Sequence, residues 1–301
     1  MARRFGPSGG QFVSELPRRL ADVVAAWDLA LGEPLPIGIG GYLVSVRTAD
    51  GDDAVLKLSP TGNEAQDKAN ELEAYALRRW AANGAVRLLA ADAAAGALLI
   101  ERCVPGDTID TLPDEQMVTA GCRLARRLHR TPDTEDERVL PDAVARVAEN
   151  AVRLDGAMEE MRHPLSPHAE RVIKRFNDEV SRADRAVVVC HGDINPGNLL
   201  AAQRMAWLAV DPLPVRAPAA YDAVSLVWSK RAWLLAERDP AAVLERRIAL
   251  AAAAIGAEVR DVRAWTLLRL VGLLIDRSSW GGYNEAPFIA VAELLSQAVE
   301  A

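Results

Sequence analysis

One stretch, Val187 to Pro212, limits the folds open to this chain more than any other. Val187-Val188-Val189-Cys190 is short, apolar and β-branched, as a buried strand is. It delivers His191-Gly192-Asp193 to its end, and Pro196-Gly197 then forces a tight turn before Asn198. Leu199 to Ala202 is a second apolar strand, Arg204-Met205 a hairpin tip, and Ala206 to Val210 the return strand ending in Asp211-Pro212. In a hairpin turning between Arg204 and Met205, Asn198 pairs with Asp211 and Leu200 with Ala209. An amide oxygen beside a carboxylate is a hard, oxygen-rich site that suits magnesium. Asp193 lies one tight turn away, placed to take a proton from a hydroxyl.

The chain before this stretch reads as a small antiparallel sheet with one inserted helix. Phe12, Leu16, Leu20, Val23, Val24 and Trp27 recur at helical spacing within residues 11–31, with Pro17 as a marker of the first turn. Gly32 to Gly41 is loop by composition. Tyr42–Arg47 and Ala54–Leu58 are strands around the Asp50-Gly51 turn, and Asn63–Trp80 is a helix. Val86–Ala90 and Ala97–Glu101 are further strands around Gly96, and Cys103-Val104-Pro105-Gly106 is the connection onward. Helix then dominates: Asp114–His129, Pro141–Arg162, His168–Arg182, Tyr221–Glu237, Pro240–Ile255, Val259–Asp276 and Pro287–Val299.

Composition sets outer bounds. A chain of 301 residues, half of them hydrophobic, can bury a sizeable core as one large domain or two lobes. A net charge of -7 argues against a nucleic-acid partner and fits a cationic small-molecule substrate without demanding one. Cys103, Cys122 and Cys190 lack metal-ligand spacing and read as reduced, mostly buried thiols, although Cys190 stands beside His191. No apolar run follows the basic start, and none approaches the roughly 18 residues of a membrane span. The expectation is a cytoplasmic protein without a membrane partner, monomeric or a weak dimer.

Lys57 stands between Leu56 and Leu58 in the middle of an apolar strand. A buried ammonium is costly unless it meets an anion, and the next helix offers Glu73 and Glu71, of which Glu73 is the choice. Lys57 alone would pass for an edge-strand lysine, and Asn198 alone for a turn residue. Their order is what carries the argument: loop glycines, strand lysine, helix glutamate, His-x-Asp-x-x-x-x-Asn, then Asp. Phosphoryl transfer needs this set, because a metal and a cation neutralise phosphate charge while an aspartate orients the attacking hydroxyl.

HGDINPGN at 191–198 with VDP at 210–212 resembles the hallmark of the aminoglycoside phosphotransferase family, within the protein-kinase-like fold. AVLKL from Ala54, EAYALRRW from Glu73, AVRLLAAD from Ala85, GALLIERC from Gly96, WLAVDP from Trp207 and AWTLLRL from Ala264 are similar to the streptomycin 6-kinase branch. The resemblance implies an α+β bilobal fold, with a small antiparallel-sheet N-lobe and hinge at 1–104 and a mainly helical C-lobe at 105–301. It implies Asp193 as catalytic base, Asn198 and Asp211 as magnesium ligands, and Lys57 paired with Glu73 on the phosphates. Glu101 to Val104, Cys103 included, would be the hinge that meets adenine, and Gly38, Gly40 and Gly41 would lie in the nucleotide loop. The chain departs from the family at Gly38 to Leu43, which does not complete G-x-G-x-x-G. It departs again at Asn195 in place of histidine, at Arg216 to Asp222, and at Asp276-Arg277-Ser278-Ser279-Trp280.

The expected activity is therefore transfer of phosphate from ATP, with GTP the alternative, to a hydroxyl of a small cationic acceptor of the streptomycin type, with Mg2+. Nucleotide would bind between the lobes, and Asp222, Asp276 and Glu285 would hold the acceptor. Trp228 and Trp280 read as core first and as stacking surfaces second. The competing readings are a kinase of another metabolite (a sugar, an amino alcohol or hydroxyurea) and a catalytically silent binding protein.

Overall fold

The computed structural model describes residues 2–36, 40–160, 165–182, 185–277 and 284–298. In chain order the elements begin with α1 (Ala2–Ala26), β1 (Ala30–Pro34), β2 (Tyr42–Arg47), β3 (Asp53–Leu58), α2 (Glu64–Trp80), β4 (Leu88–Asp92) and β5 (Ala97–Glu101). Four helices follow: α3 (Asp114–Leu128), α4 (Thr134–Val139), α5 (Ala143–Glu160) and α6 (Pro167–Arg182). Next come β6 (Val188–Cys190), β7 (Leu199–Ala201), β8 (Trp207–Ala209) and β9 (Val215–Ala217). The chain ends in α7 (Val224–Val227), α8 (Arg231–Ala236), α9 (Pro240–Ile255), α10 (Val259–Arg277) and α11 (Ala286–Gln297). It divides into two compact units, Met1–Asp107 with Leu200–Leu213, and Thr108–Leu199 with Pro214–Ala301. The sequence places one boundary after residue 104. The units instead change over at 107/108, and the β7–β8 hairpin returns to the first of them.

The first unit is an antiparallel sheet of order β1-β2-β3-β5-β4. Side chains of β3 alternate, so Ala54, Leu56 and Leu58 join Phe12 and Val23 of α1 in one core, while Val55 and Lys57 point to the other face. Burying Leu56 and Leu58 contributes roughly 1.5–3 kcal/mol each. α2 opens at Asn63, whose side chain accepts from the amides of Ala65 and Gln66. Two expectations change here. The first helix begins at Ala2, not residue 11, and runs through Pro17, which marks no first turn. Gly32 lies in strand β1, an edge strand exposed along its whole length, so it has no buried face for a pattern to reveal.

The second unit is helical around β6 and β9, which pair antiparallel with Val188 opposite Ala217 and Cys190 opposite Val215. β9 is absent from the sequence reading, because three residues are too few to show a period. The single helix expected over 221–237 is broken: a 3-10 turn covers Ala219–Ala223, then α7 and α8 are separated at Lys230, whose φ is 50°. Buried Arg247 of α9 explains the break, since its Nη1 donates to the carbonyls of Val227 (2.9 Å) and Ser229 (2.8 Å) that helix would otherwise use. Among the described residues no helix is long and apolar enough to cross a membrane.

Candidate active site

In the first unit the alternation of β3 sends Lys57 to the α2 side of the sheet. There its Nζ donates to both carboxylate oxygens of Glu73 at 2.8 and 2.7 Å, and to Asp211 Oδ1 at 2.5 Å. Lys57 is 7 % exposed. Burial alone would push its pKa down, but the two carboxylates outweigh it and hold the ammonium charged, above the ordinary lysine range. Asp211 lies just past β8 with φ 56°, and its side chain is half-exposed. The two strands run only from Leu199 and to Ala209, so neither Asn198 nor Asp211 is a strand residue and the cross-strand pairing expected for them is not what places them. A left-handed turn and Lys57 place Asp211.

Glu101 ends β5, and Cys103 follows two residues later. Glu101 takes a two-pronged bond from Arg204 at the β7–β8 hairpin tip, at 3.0 and 2.9 Å, and the amide of Arg87 at 3.0 Å. Burial would raise the Glu101 pKa, yet the Arg204 hydrogen bond lowers it overall. The same guanidinium donates to the carbonyls of Ala82 (2.6 Å) and Ala85 (2.9 Å). Its side chain is thus spent on structure, leaving only backbone for a ligand. Nothing in the sequence around Arg204 signalled this beyond its place at a turn. Arg204→Met should lower unfolding free energy by ~1.5–3 kcal/mol, and a double-mutant cycle with Glu101→Gln should show coupling of about 0.5–3 kcal/mol by urea denaturation. Additive effects would show that the pair is incidental. The Cys103 thiol is pushed up to about 12 by burial and by Glu101, and is neutral at ordinary pH. Gly41 abuts backbone: a Cβ there would stand 2.5 Å from the Leu58 carbonyl oxygen. Gly40 has open space around it, and Gly38 lies outside the described residues.

In the second unit β6 carries His191-Gly192-Asp193 out of the core. Gly192 has φ 83°, a conformation that costs other residues a strain glycine avoids. Asp222, on the 3-10 turn after β9, reaches under this loop. Its Oδ2 accepts from the His191 amide (2.8 Å) and meets His129 Nε2 (3.0 Å), and its Oδ1 accepts from the Gly192 amide (2.7 Å). Burial would raise its pKa, but the His129 bond and the amides bring it below the ordinary range. Asp222 is 2 % exposed and consumed by these donors, so it is a strut beneath the loop and not an acceptor-pocket acid. His129, the C-cap of α3, is a partner the sequence did not single out. His129, Cys190 and Asp222 bring donor atoms within 4.8 Å of one another, but the carboxylate is already satisfied by N–H groups. Burial raises the Cys190 thiol well above its usual range, which removes it as a nucleophile.

Beyond the loop, Asn195 Oδ1 accepts from the Gly197 amide (2.9 Å), closing the turn where the family pattern has histidine. Asn198 Nδ2 donates to the Asp193 carbonyl and to Asp193 Oδ2, both at 2.9 Å. Asp276 is held by Arg146 (3.2 Å) and Arg153 (3.1 Å), which neutralise the acid expected to meet a cation. Glu285 precedes α11, and its Oε2 is buried without a hydrogen-bond partner among the described residues. Trp228 is buried at 8 %, with the Arg231 guanidinium 4.4 Å from its ring centre and Phe288 beside it. Trp280 lies outside the described residues.

A model of the aminoglycoside/hydroxyurea antibiotic resistance kinases matches residues 27–273. The chain belongs to that family. Streptomycin 6-kinase of Streptomyces griseus is 30% identical over 305 residues, covering 98% of this chain and 94% of that one. Streptomycin 6-kinase of Streptomyces glaucescens is 29% identical, covering 90% and 85%. Hydroxyurea phosphotransferase of Kitasatospora aureofaciens is 30% identical, covering 88% and 74%. Among solved structures, a macrolide 2'-phosphotransferase from Brachybacterium faecium superposes with TM-score 0.61 at 15% identity, covering 94% and 98%. This member of the antibiotic resistance kinases therefore has the protein-kinase-like fold and is a phosphotransferase that uses a nucleotide.

Proposed function

We propose that this chain transfers the terminal phosphate of ATP, with magnesium, to a hydroxyl of a small antibiotic-like acceptor, streptomycin being the leading candidate and hydroxyurea the second. The observation that carries the reading is the pair of constellations: Lys57 bound to Glu73 and Asp211, and Asp193 bound to Asn198 on a braced loop. Lys57 stays charged at working pH and would neutralise phosphate oxygens. Asp193 would accept the acceptor's hydroxyl proton and orient its oxygen for attack.

The donor set suits a hard cation. Asp211 offers a half-exposed carboxylate, and Asn198 spends its amide nitrogen on Asp193, which leaves the oxygen as the end a cation would take. Magnesium taken by such donors would supply charge neutralisation on the phosphates. The capture of Asp276 by two arginines weakens the case for a polycation and gives hydroxyurea its place as the second reading.

ADP release measured with streptomycin, hydroxyurea, choline and simple sugars tests this, with the product's mass and modified oxygen determined. Release is expected with streptomycin or hydroxyurea, to stop on chelation by EDTA and to return with added magnesium. Nucleotide binding without ADP release for any acceptor would instead mean a silent binding protein.

A further inference from the structure

We propose that Arg269 is a positioning residue for phosphotransfer, gripping the Gly192 carbonyl and so fixing the direction in which Asp193 leaves its loop; the inference rests on the role proposed for Asp193. Arg269 lies on α10, and its Nη1 donates to Gly192 O at 3.1 Å. That oxygen belongs to the planar peptide whose nitrogen is Asp193's own, so holding it fixes the plane from which Asp193 departs. The other end of the same plane is also held, because the Asp193 amide donates to His191 Nδ1 at 3.3 Å. The preceding peptide is fixed separately, with the Gly192 amide on Asp222. A glycine at φ 83° brings more backbone freedom than any other residue, and these contacts remove it on both sides.

The guanidinium is itself located by the core. It stands 4.3 Å from the ring centre of Tyr221, which packs edge-on against fully buried Trp265 at 5.3 Å. Among the described residues no carboxylate pairs with Arg269. A leucine there could not supply a charge-assisted donor to the loop.

Two variants separate positioning from bulk stability. Arg269→Met keeps the length and removes the donor; Arg269→Lys keeps charge and one donor. With streptomycin or hydroxyurea as acceptor, Arg269→Met should lower kcat roughly 10–100-fold while nucleotide KM moves less than about twofold. Amide exchange in the peptide from Val188 to Pro196, followed by mass spectrometry, should speed up. Arg269→Lys should recover most of both. Unchanged exchange and unchanged kcat in Arg269→Met would overturn the proposal. So would equal losses of kcat and melting temperature in both variants, which would mark a packing residue. If the unaltered chain releases no ADP with any acceptor, the phosphotransfer reading fails and the positioning role fails with it, while faster exchange in Arg269→Met would show separately that the loop contact is real.

Discussion

Asp193→Asn should lower kcat by about 10²- to 10⁴-fold while leaving the melting temperature and nucleotide binding as they are, because proton transfer by a placed side chain contributes in that range. The variant is nearly isosteric. An amide at this position can turn its oxygen to Asn198 Nδ2 and preserve the 2.9 Å contact, so the loop has no reason to move. What it cannot do is accept a proton. Steady-state ADP release with saturating acceptor, beside a thermal shift with ATP, checks both halves. Wild-type turnover in this variant would remove Asp193 from the chemistry.

Asp222→Ala should be strongly destabilising, at ~3–5 kcal/mol, since it strands two buried amides of the His191–Gly192 loop and His129. The effect has a pH signature. The folded carboxyl titrates below the ordinary aspartate value of about 3.9, so its stabilisation is complete above that value and is withdrawn as pH falls through the lower, folded one. Urea unfolding at pH 7 and near pH 3 should therefore show a smaller acid loss in Asp222→Asn than in the unaltered chain. An equal acid loss in the two would mean that Asp222 is not the group responsible.

Much of this architecture was legible because its elements have periods long enough to read. β2 and β5 fall where their runs predicted, and α2 and α9 sit on clear caps at Asn63 and Asp239. The Lys57–Glu73 pair followed from one charged residue in an apolar strand, a local conflict that only a long-range partner resolves. Asp222 shows where such reading stops. Its identity as an acid was visible, but its burial depends on β9 pairing with β6, and three residues, Val215–Ala217, leave no pattern. Arg146 and Arg153 hide Asp276 for a similar reason: they come from α5, far away in sequence.

The hairpin Leu200–Leu213 has a consequence for the order in which the protein can be made. The first unit begins at the N-terminus, yet it contains the bonds Val86–Ala209, Gly106–Ala201 and Glu101–Arg204, whose second partners come late in the chain. A ribosome must therefore release all of Thr108–Leu199 before the first unit can close, a wait on the order of ten seconds at about 5–20 residues per second. During that wait the Val86 amide lacks the Ala209 carbonyl and the carboxylate of Glu101 lacks Arg204. Lys57 likewise gains Asp211 only in the last stretch of the first unit to arrive, so its ion pairs are among the final contacts that unit acquires.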